Sequence, residues 1–355
     1  MSNERKYGAP KRPEPTSPEP DRSEPFAERG TEAAPGLHEA SSSPFHTQDK
    51  AEARTVHPAD IKNQGTTLDA VPQQSREGPY LLTIGRTGSG KTTFHWQLMR
   101  WLISTPLVAA KVAAPENNWD GAAILTEWEQ NWDAHEFPRS TQQFQPQEII
   151  VEINPYNKKL PSLRFGFFEI AGEDFRYLEP KSGQAPMIYK GLLNFLENSS
   201  IHFMLAFVCD GEEPKGSDLL FTNIMTWLDQ TFNQAFRMSP ILLLITKPEI
   251  ALENLQRAGN AKYRMATELD TESFVDEFLP NTKSLMQEWG APYALTKFSV
   301  GSVEHADDEN NRFIRNVDYS DIQTIFFWLY KQATGSEFGE TPMQKFVRYI
   351  RELFT

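Results

Sequence analysis

The chain has 355 residues, with 48 Asp and Glu against 35 Lys and Arg, a formal net charge of −13, and one cysteine, Cys209. The acidic balance argues against a nucleic-acid surface, which wants a basic stripe, and a single cysteine excludes a disulfide framework within the chain. No apolar run approaches the roughly 18–20 residues of a membrane span, and no basic-then-apolar start suggests a secretory signal, so a cytoplasmic home is expected.

Residues 1–77 hold ten of the 25 prolines and none of the eight tryptophans. The stretch Arg12-Pro-Glu-Pro-Thr-Ser-Pro-Glu-Pro20 is low in complexity. Such a segment buries too little apolar surface to offset its ordering entropy, and it reads as a disordered tail. Residues 78–355 are a suitable size for one α/β domain.

The apolar run Tyr80–Ile84 leads into Gly85–Thr92, which reads GRTGSGKT, and then into a helical stretch, Thr92–Ile103. This is the G-x-x-x-x-G-K-S/T phosphate loop in its strand-loop-helix setting. Glycines at Gly85, Gly88 and Gly90 let the backbone approach oxygen atoms closely. The N–H groups of the loop, through Thr87, Ser89 and Gly90, then form an anion nest, to which the helix adds its positive end. Lys91 is placed to reach β- and γ-phosphates, Thr92 to ligate Mg²⁺, and Thr93 to touch the α-phosphate. The plain alternative is a Gly-rich turn before a helix.

Strand and helix patterns alternate from there. Strands are expected at Tyr80–Ile84, Glu148–Ile153, Leu163–Glu169, Phe203–Cys209, Ile241–Thr246 and Tyr293–Phe298. Helices are expected at Met187–Leu196, Leu219–Phe236, Glu272–Trp289, Ile322–Ala333 and Pro342–Phe354. The rhythm implies an α/β, three-layer domain around a mainly parallel sheet. Residues 106–147 form an insertion long enough to need structure of its own. The second and third strands are joined by the short turn Tyr156–Lys159, so they form an antiparallel hairpin; a parallel pair needs a longer crossover.

Phosphate loop, helix, long connection and hairpin follow the order of Ras-like P-loop GTPases. Glu169-Ile-Ala-Gly-Glu-Asp174 stands where those proteins carry D-x-x-G, and its A-G-E-D string is similar to that of the bacterial double-GTPase domain families. The resemblance implies that Glu169 reaches Mg²⁺ through water, that Gly172 bonds the γ-phosphate, and that Glu173 helps to place the attacking water. It also implies a first-switch threonine, for which Thr141 is the best placed, with Ser140 and Thr126 as fallbacks. Arg139 beside it is a candidate for neutralising transition-state charge, against the plainer reading of a solvated surface arginine.

Thr246-Lys-Pro-Glu249 follows an apolar strand where the family has N/T-K-x-D. By that resemblance Thr246 and Lys247 match, and Glu249 accepts from guanine's two donors, since a carboxylate only accepts. Ser299, in Phe298-Ser-Val-Gly-Ser302, matches the loop that contacts the guanine oxygen. Asp210 reads as a strand-end cap, and His95 as a surface or satisfied helix residue.

The expected function is a GTP-binding, GTP-hydrolysing switch that uses Mg²⁺ and answers to an unidentified protein effector. Two other readings stay open. One is a nucleotide-binding interaction module with little hydrolysis, suggested by glutamates at both aspartate positions. The other is a P-loop ATPase or small-molecule kinase, although no arginine-rich lid is apparent.

Overall fold

The computed structural model describes residues 76–113, 121–134, 136–142, 146–172, 174, 190–258, 268–305, 312–315 and 317–338. The chain enters at β1 (Gly78–Ile84) and continues through α1 (Lys91–Ser104), β2 (Val108–Val112) and α2 (Gly121–Ala134). Then come β3 (Gln147–Pro155), β4 (Leu163–Glu169), α3 (Lys190–Leu196), β5 (Ile201–Asp210) and α4 (Pro214–Thr231). The second half runs β6 (Ile241–Thr246), α5 (Pro248–Arg257), α6 (Thr271–Phe278), α7 (Pro280–Trp289) and β7 (Tyr293–Phe298). A small hairpin, β8 (Ser302–His305) and β9 (Arg312–Arg315), precedes α8 (Ser320–Thr334).

Seven strands form one sheet in the order β2-β3-β4-β1-β5-β6-β7. β1 pairs in parallel with β4 and β5, and β5-β6 and β6-β7 are also parallel. β3 runs against both of its neighbours, so it is the reversed strand of the sheet. The expected mainly parallel sheet with one antiparallel hairpin strand is thus present. β8 and β9 pair separately.

Side chains alternate between the two faces of each strand. Leu81, Met204, Ala206, Val208, Leu242 and Leu244 meet Phe94 and Leu98 of α1 and Ile325 and Phe326 of α8. Tyr80, Leu82, Leu205, Phe207, Leu243 and Ile245 meet Phe195 of α3, Phe221 of α4 and Phe274 of α6 on the opposite face. β6 is buried along its whole length, which is why its sequence shows no polar alternation.

One polar group is sunk in that second face. Glu148 on β3 is fully buried and accepts from Arg76 Nε at 3.1 Å and Tyr80 Oη at 2.8 Å. Burial pushes the Glu148 carboxyl up, against the pull of Arg76 and the Tyr80 hydroxyl. Removing one partner of such a pair strands a buried charge, at a cost of about 3–5 kcal/mol.

Some expected boundaries shift for local reasons. The helix expected over Leu219–Phe236 begins at Pro214, where proline is tolerated because the first-turn N–H is unpaired anyway. It stops at Thr231, and Asn233 and Gln234 take φ of 48° and 68° before a short 3₁₀ turn, Ala235–Met238. The helix expected over Glu272–Trp289 is two helices, parted at Leu279 because Pro280 has no N–H to continue the ladder. Within the insertion, α2 and β2 supply the expected structure. Pro248 opens α5, at the first-turn position where proline is tolerated. The helix expected over Pro342–Phe354, like Glu173 and the first residues of Met187–Leu196, lies outside the described residues.

Among the described residues, no helix is long and apolar enough to cross a membrane.

Candidate functional site

The loop between β1 and α1 carries the phosphate motif. Gly88 and Gly90 take φ of 77° and 89°, a region other residues rarely enter. α1 starts at Lys91 with no acid in its first turn, so its positive end is not neutralised from within. Lys91 Nζ folds back over the loop and donates to the carbonyls of Gly85 at 3.0 Å and Arg86 at 3.1 Å. Ser89, Lys91 and Thr92 are buried, Thr93 is half-buried, and Thr87 and Gly88 are exposed. Arg86 pairs with Glu213, at the start of α4, at 2.5 Å.

Three residues distant in sequence meet beside this loop. Thr92 Oγ1 donates to Glu169 Oε1 at 2.6 Å across 77 positions of sequence. Thr141 is buried against the same carboxylate, close enough to help lower its pKa. Its hydroxyl nevertheless falls short of full hydrogen-bond geometry, and Thr141 Oγ1 and Glu169 Oε2 are both buried without a hydrogen-bond partner. Burial pushes the Glu169 carboxyl up; Lys91, Thr92 and Thr141 pull it down. The other first-switch candidates are elsewhere: Ser140 is exposed, and the Thr126 hydroxyl donates to Ala122 O within α2 at 2.9 Å. Arg139 is 92 % exposed and lies 3.9 Å from Glu127.

A buried carboxylate and a buried hydroxyl side by side, each with an oxygen lacking a full hydrogen bond, suit a hard cation. Magnesium takes oxygen ligands, keeps several waters, and is usually bound through one or two protein groups plus substrate phosphates. Among the described residues no cluster of three or more His, Cys, Asp and Glu groups forms a self-sufficient metal cage. Thr92, Thr141 and Glu169 therefore fit a metal shared with a phosphate ligand.

Gly172 lies against the loop. A Cβ at this position would stand 2.2 Å from Thr87 N and 2.5 Å from Arg86 C, so no other residue fits without moving the backbone. The Asp174 N–H bonds Ala171 O at 3.0 Å and closes the turn around it.

The other end of the site is built from the C-terminal ends of β5, β6 and β7. Thr246 Oγ1 donates to Ser89 O at 2.9 Å and lies 3.1 Å from Cys209 O, tying this end to the phosphate loop. Lys247 sits at φ 50° as it opens α5, and its Nζ bonds Asp210 Oδ2 and Glu212 Oε2, each at 3.0 Å. Burial, which lowers the lysine pKa, is outweighed by these two carboxylates, so it rises. Asp210 also accepts from the Glu212 N–H at 3.0 Å, so it does cap the strand end. Glu249 is exposed in the first turn of α5.

Two further residues stand here: Asp321, which the sequence did not single out, and His95, which is the satisfied helix residue of its two readings and not a surface one. The Ser299 N–H donates to Asp321 Oδ2 at 3.2 Å. Burial raises the Asp321 pKa, the Ser299 N–H and Lys297 lower it, and Asp318 and Glu249 raise it further, so Asp321 shares the neighbourhood of Glu249. The one sequence signal is its position in the first turn of α8. The second residue is His95, which is 2 % exposed, with Nε2 2.6 Å from Thr83 Oγ1.

The insertion touches the same region. Trp96 of α1 donates its Nε1–H to Trp128 O of α2 at 3.1 Å. Its ring lies 5.6 Å from that of Trp132 and 6.4 Å from that of Phe137.

No protein-family model matches the sequence, and no curated protein is significantly similar to it. Among solved structures, a chain of the signal recognition particle receptor SRb-GTP/SRX complex from Chaetomium thermophilum is similar at 12 % identity. The match covers 63 % of this chain and 94 % of that one, with a TM-score of 0.31. At that level of likeness the functional argument rests on the residues themselves.

Proposed function

We propose that the chain is a Mg²⁺-dependent GTPase switch of the Ras-like kind, nearest in character to the bacterial double-GTPase families. The observation that carries this reading is the meeting of Thr92, Thr141 and Glu169, with two orphaned oxygens, beside a phosphate loop braced by Lys91. A chance Gly-rich turn has no reason to gather those three side chains.

In this reading Lys91 holds the β- and γ-phosphates while its bonds to Gly85 and Arg86 keep the loop in shape. The N–H groups at the start of α1 hold further phosphate oxygens. Thr92, Thr141 and Glu169 would hold the metal, which would supply charge neutralisation to the phosphates. Gly172 offers its N–H to the γ-phosphate, and Glu173 orients the attacking water. Arg139 has to leave solvent to act in the transition state. The Lys247 stem and the Glu249 carboxylate hold guanine, with the loop at Ser299 against its oxygen. Loss of the γ-phosphate releases Thr141 and Gly172, and the changed surface is what a protein effector reads.

Phosphate release from GTP by the purified parent and by Lys91→Ala, with ATP as competitor, tests this reading. The parent should turn over GTP, with ATP a poor competitor and the variant inactive. Equal release by both proteins, or preference for ATP, would sink it. Binding of GTP without turnover by the parent would turn the reading into that of a nucleotide-binding interaction module.

A further inference from the structure

The polar corner continues behind Glu169. Thr83 and Glu169 are register partners on the neighbouring parallel strands β1 and β4, so both side chains rise on the α1 face of the sheet. His95, one helical turn beyond Lys91, lies over the pair. Its Nε2 is 2.6 Å from Thr83 Oγ1 and its Nδ1 is 3.7 Å from Glu169 Oε2. The three side chains are all but closed to solvent. Phe167 meets the imidazole edge-on at 5.8 Å between ring centres, and Phe94 lies at 5.5 Å, so the ring plane is fixed by packing.

Thr92 takes one oxygen of the Glu169 carboxylate, and the other, Oε2, has no hydrogen-bond partner. We propose that His95 is the positioning residue for that second oxygen, its ring receiving the Thr83 hydroxyl at Nε2 and presenting Nδ1–H to Glu169. The proposal rests on the reading of Glu169 as a metal-facing acid. Sterics and charge select this tautomer: the reverse one would set a buried nitrogen lone pair against a carboxylate, with nothing between them. At 3.7 Å the contact is longer than a hydrogen bond. Closing the gap takes a turn of the carboxylate about its last torsion, which is soft.

The arrangement gives a use to the glutamate that stands where the GTPases this sequence resembles carry aspartate. The extra methylene gives the carboxylate one more rotatable bond. A donor on each oxygen, Thr92 on one and His95 on the other, removes that freedom. Partners of this kind behind a metal ligand are worth about 10–100-fold in metal affinity.

The test uses full-length protein loaded with a fluorescent GDP analogue, with the rate of release followed as free Mg²⁺ is raised. An asparagine amide reaches roughly where Nδ1 lies, and a glutamine amide where Nε2 lies. His95→Gln should keep the Thr83 contact, lose the Glu169 contact, and raise the half-effective Mg²⁺ about tenfold. His95→Asn should stay within about threefold of the parent. Release in EDTA should be the same for all three, because the phosphate loop itself is untouched. Equal half-points for Gln and parent, or equal shifts for Gln and Asn, would overturn the proposal. Should either variant fail to fold, Thr83→Val removes the hydroxyl that holds Nε2 and so loosens the ring, and should shift the half-point about threefold; no shift overturns the proposal equally. A parent whose release is indifferent to Mg²⁺ sinks the metal reading itself, which separates that failure from this one.

Discussion

At the phosphate end of the site, Ser89, Lys91, Thr92, Thr141 and Glu169 are all buried, whereas at the base end Lys247 is half-buried and Glu249 is exposed. The first end is braced before any ligand arrives: Lys91 holds the loop carbonyls and Thr92 holds Glu169. The second end spends its lysine on Asp210 and Glu212. Thr246 is the mechanical link between them, through the Ser89 carbonyl. Under the proposed reading, a buried, pre-set phosphate end and an open, solvated base end would draw affinity mostly from the phosphates, with discrimination between bases the smaller term.

That contrast can be broken in four places. The largest effect is expected from Lys91→Ala, which removes both the phosphate charge and the brace on the loop. Each charge-assisted bond is worth about 1.5–3 kcal/mol, so GTP affinity measured by calorimetry should fall at least about a hundredfold. A loss under threefold would show that the phosphate end does not dominate. Next comes Gly172→Ala, whose Cβ meets the loop backbone at Thr87 and Arg86. GTP affinity should drop about tenfold or more while GDP affinity changes less, since only the γ-phosphate needs that close approach.

Thr141→Val should sharpen the comparison further. Removing a buried hydroxyl that makes no full hydrogen bond should leave the melting temperature of the nucleotide-free protein little changed. The same change should weaken Mg²⁺-dependent GTP binding about tenfold. A lowered melting temperature with unchanged Mg²⁺ response would assign Thr141 to the fold alone. The smallest effect is expected at the base end. Glu249→Gln exchanges one acceptor for a donor, and the ratio of GTP to ATP affinity should fall about tenfold with the Mg²⁺ response intact. An unchanged ratio would remove Glu249 from base recognition.

The strand-loop-helix setting of Gly85–Thr92 was legible because its motif is contiguous: eight residues in a row, between a strand and a helix. The nearness of Thr141 to Glu169 was legible from its place ahead of the hairpin, since a segment entering β3 must pass the end of β4. His95 was not. Its partner Thr83 lies 12 residues back, and it reaches Glu169 only because β1 and β4 pair in one register. Asp321 was hidden for the same reason, since its Ser299 contact joins the end of β7 to the first turn of α8. The break between α6 and α7 escaped the hydrophobic pattern, because apolar spacing continues through it: Phe274, Val275, Leu279 and Met286 are all buried on one face. A single proline decided it.

The tryptophan group on α1 and α2 gives the molecule an optical gauge of its own. Phe137 touches the Trp96 ring, and four residues later Thr141 touches the carboxylate of Glu169. Under the proposed reading, a movement of Thr141 so close in sequence to Phe137 would shift a phenyl ring against an indole, and tryptophan emission would then report it.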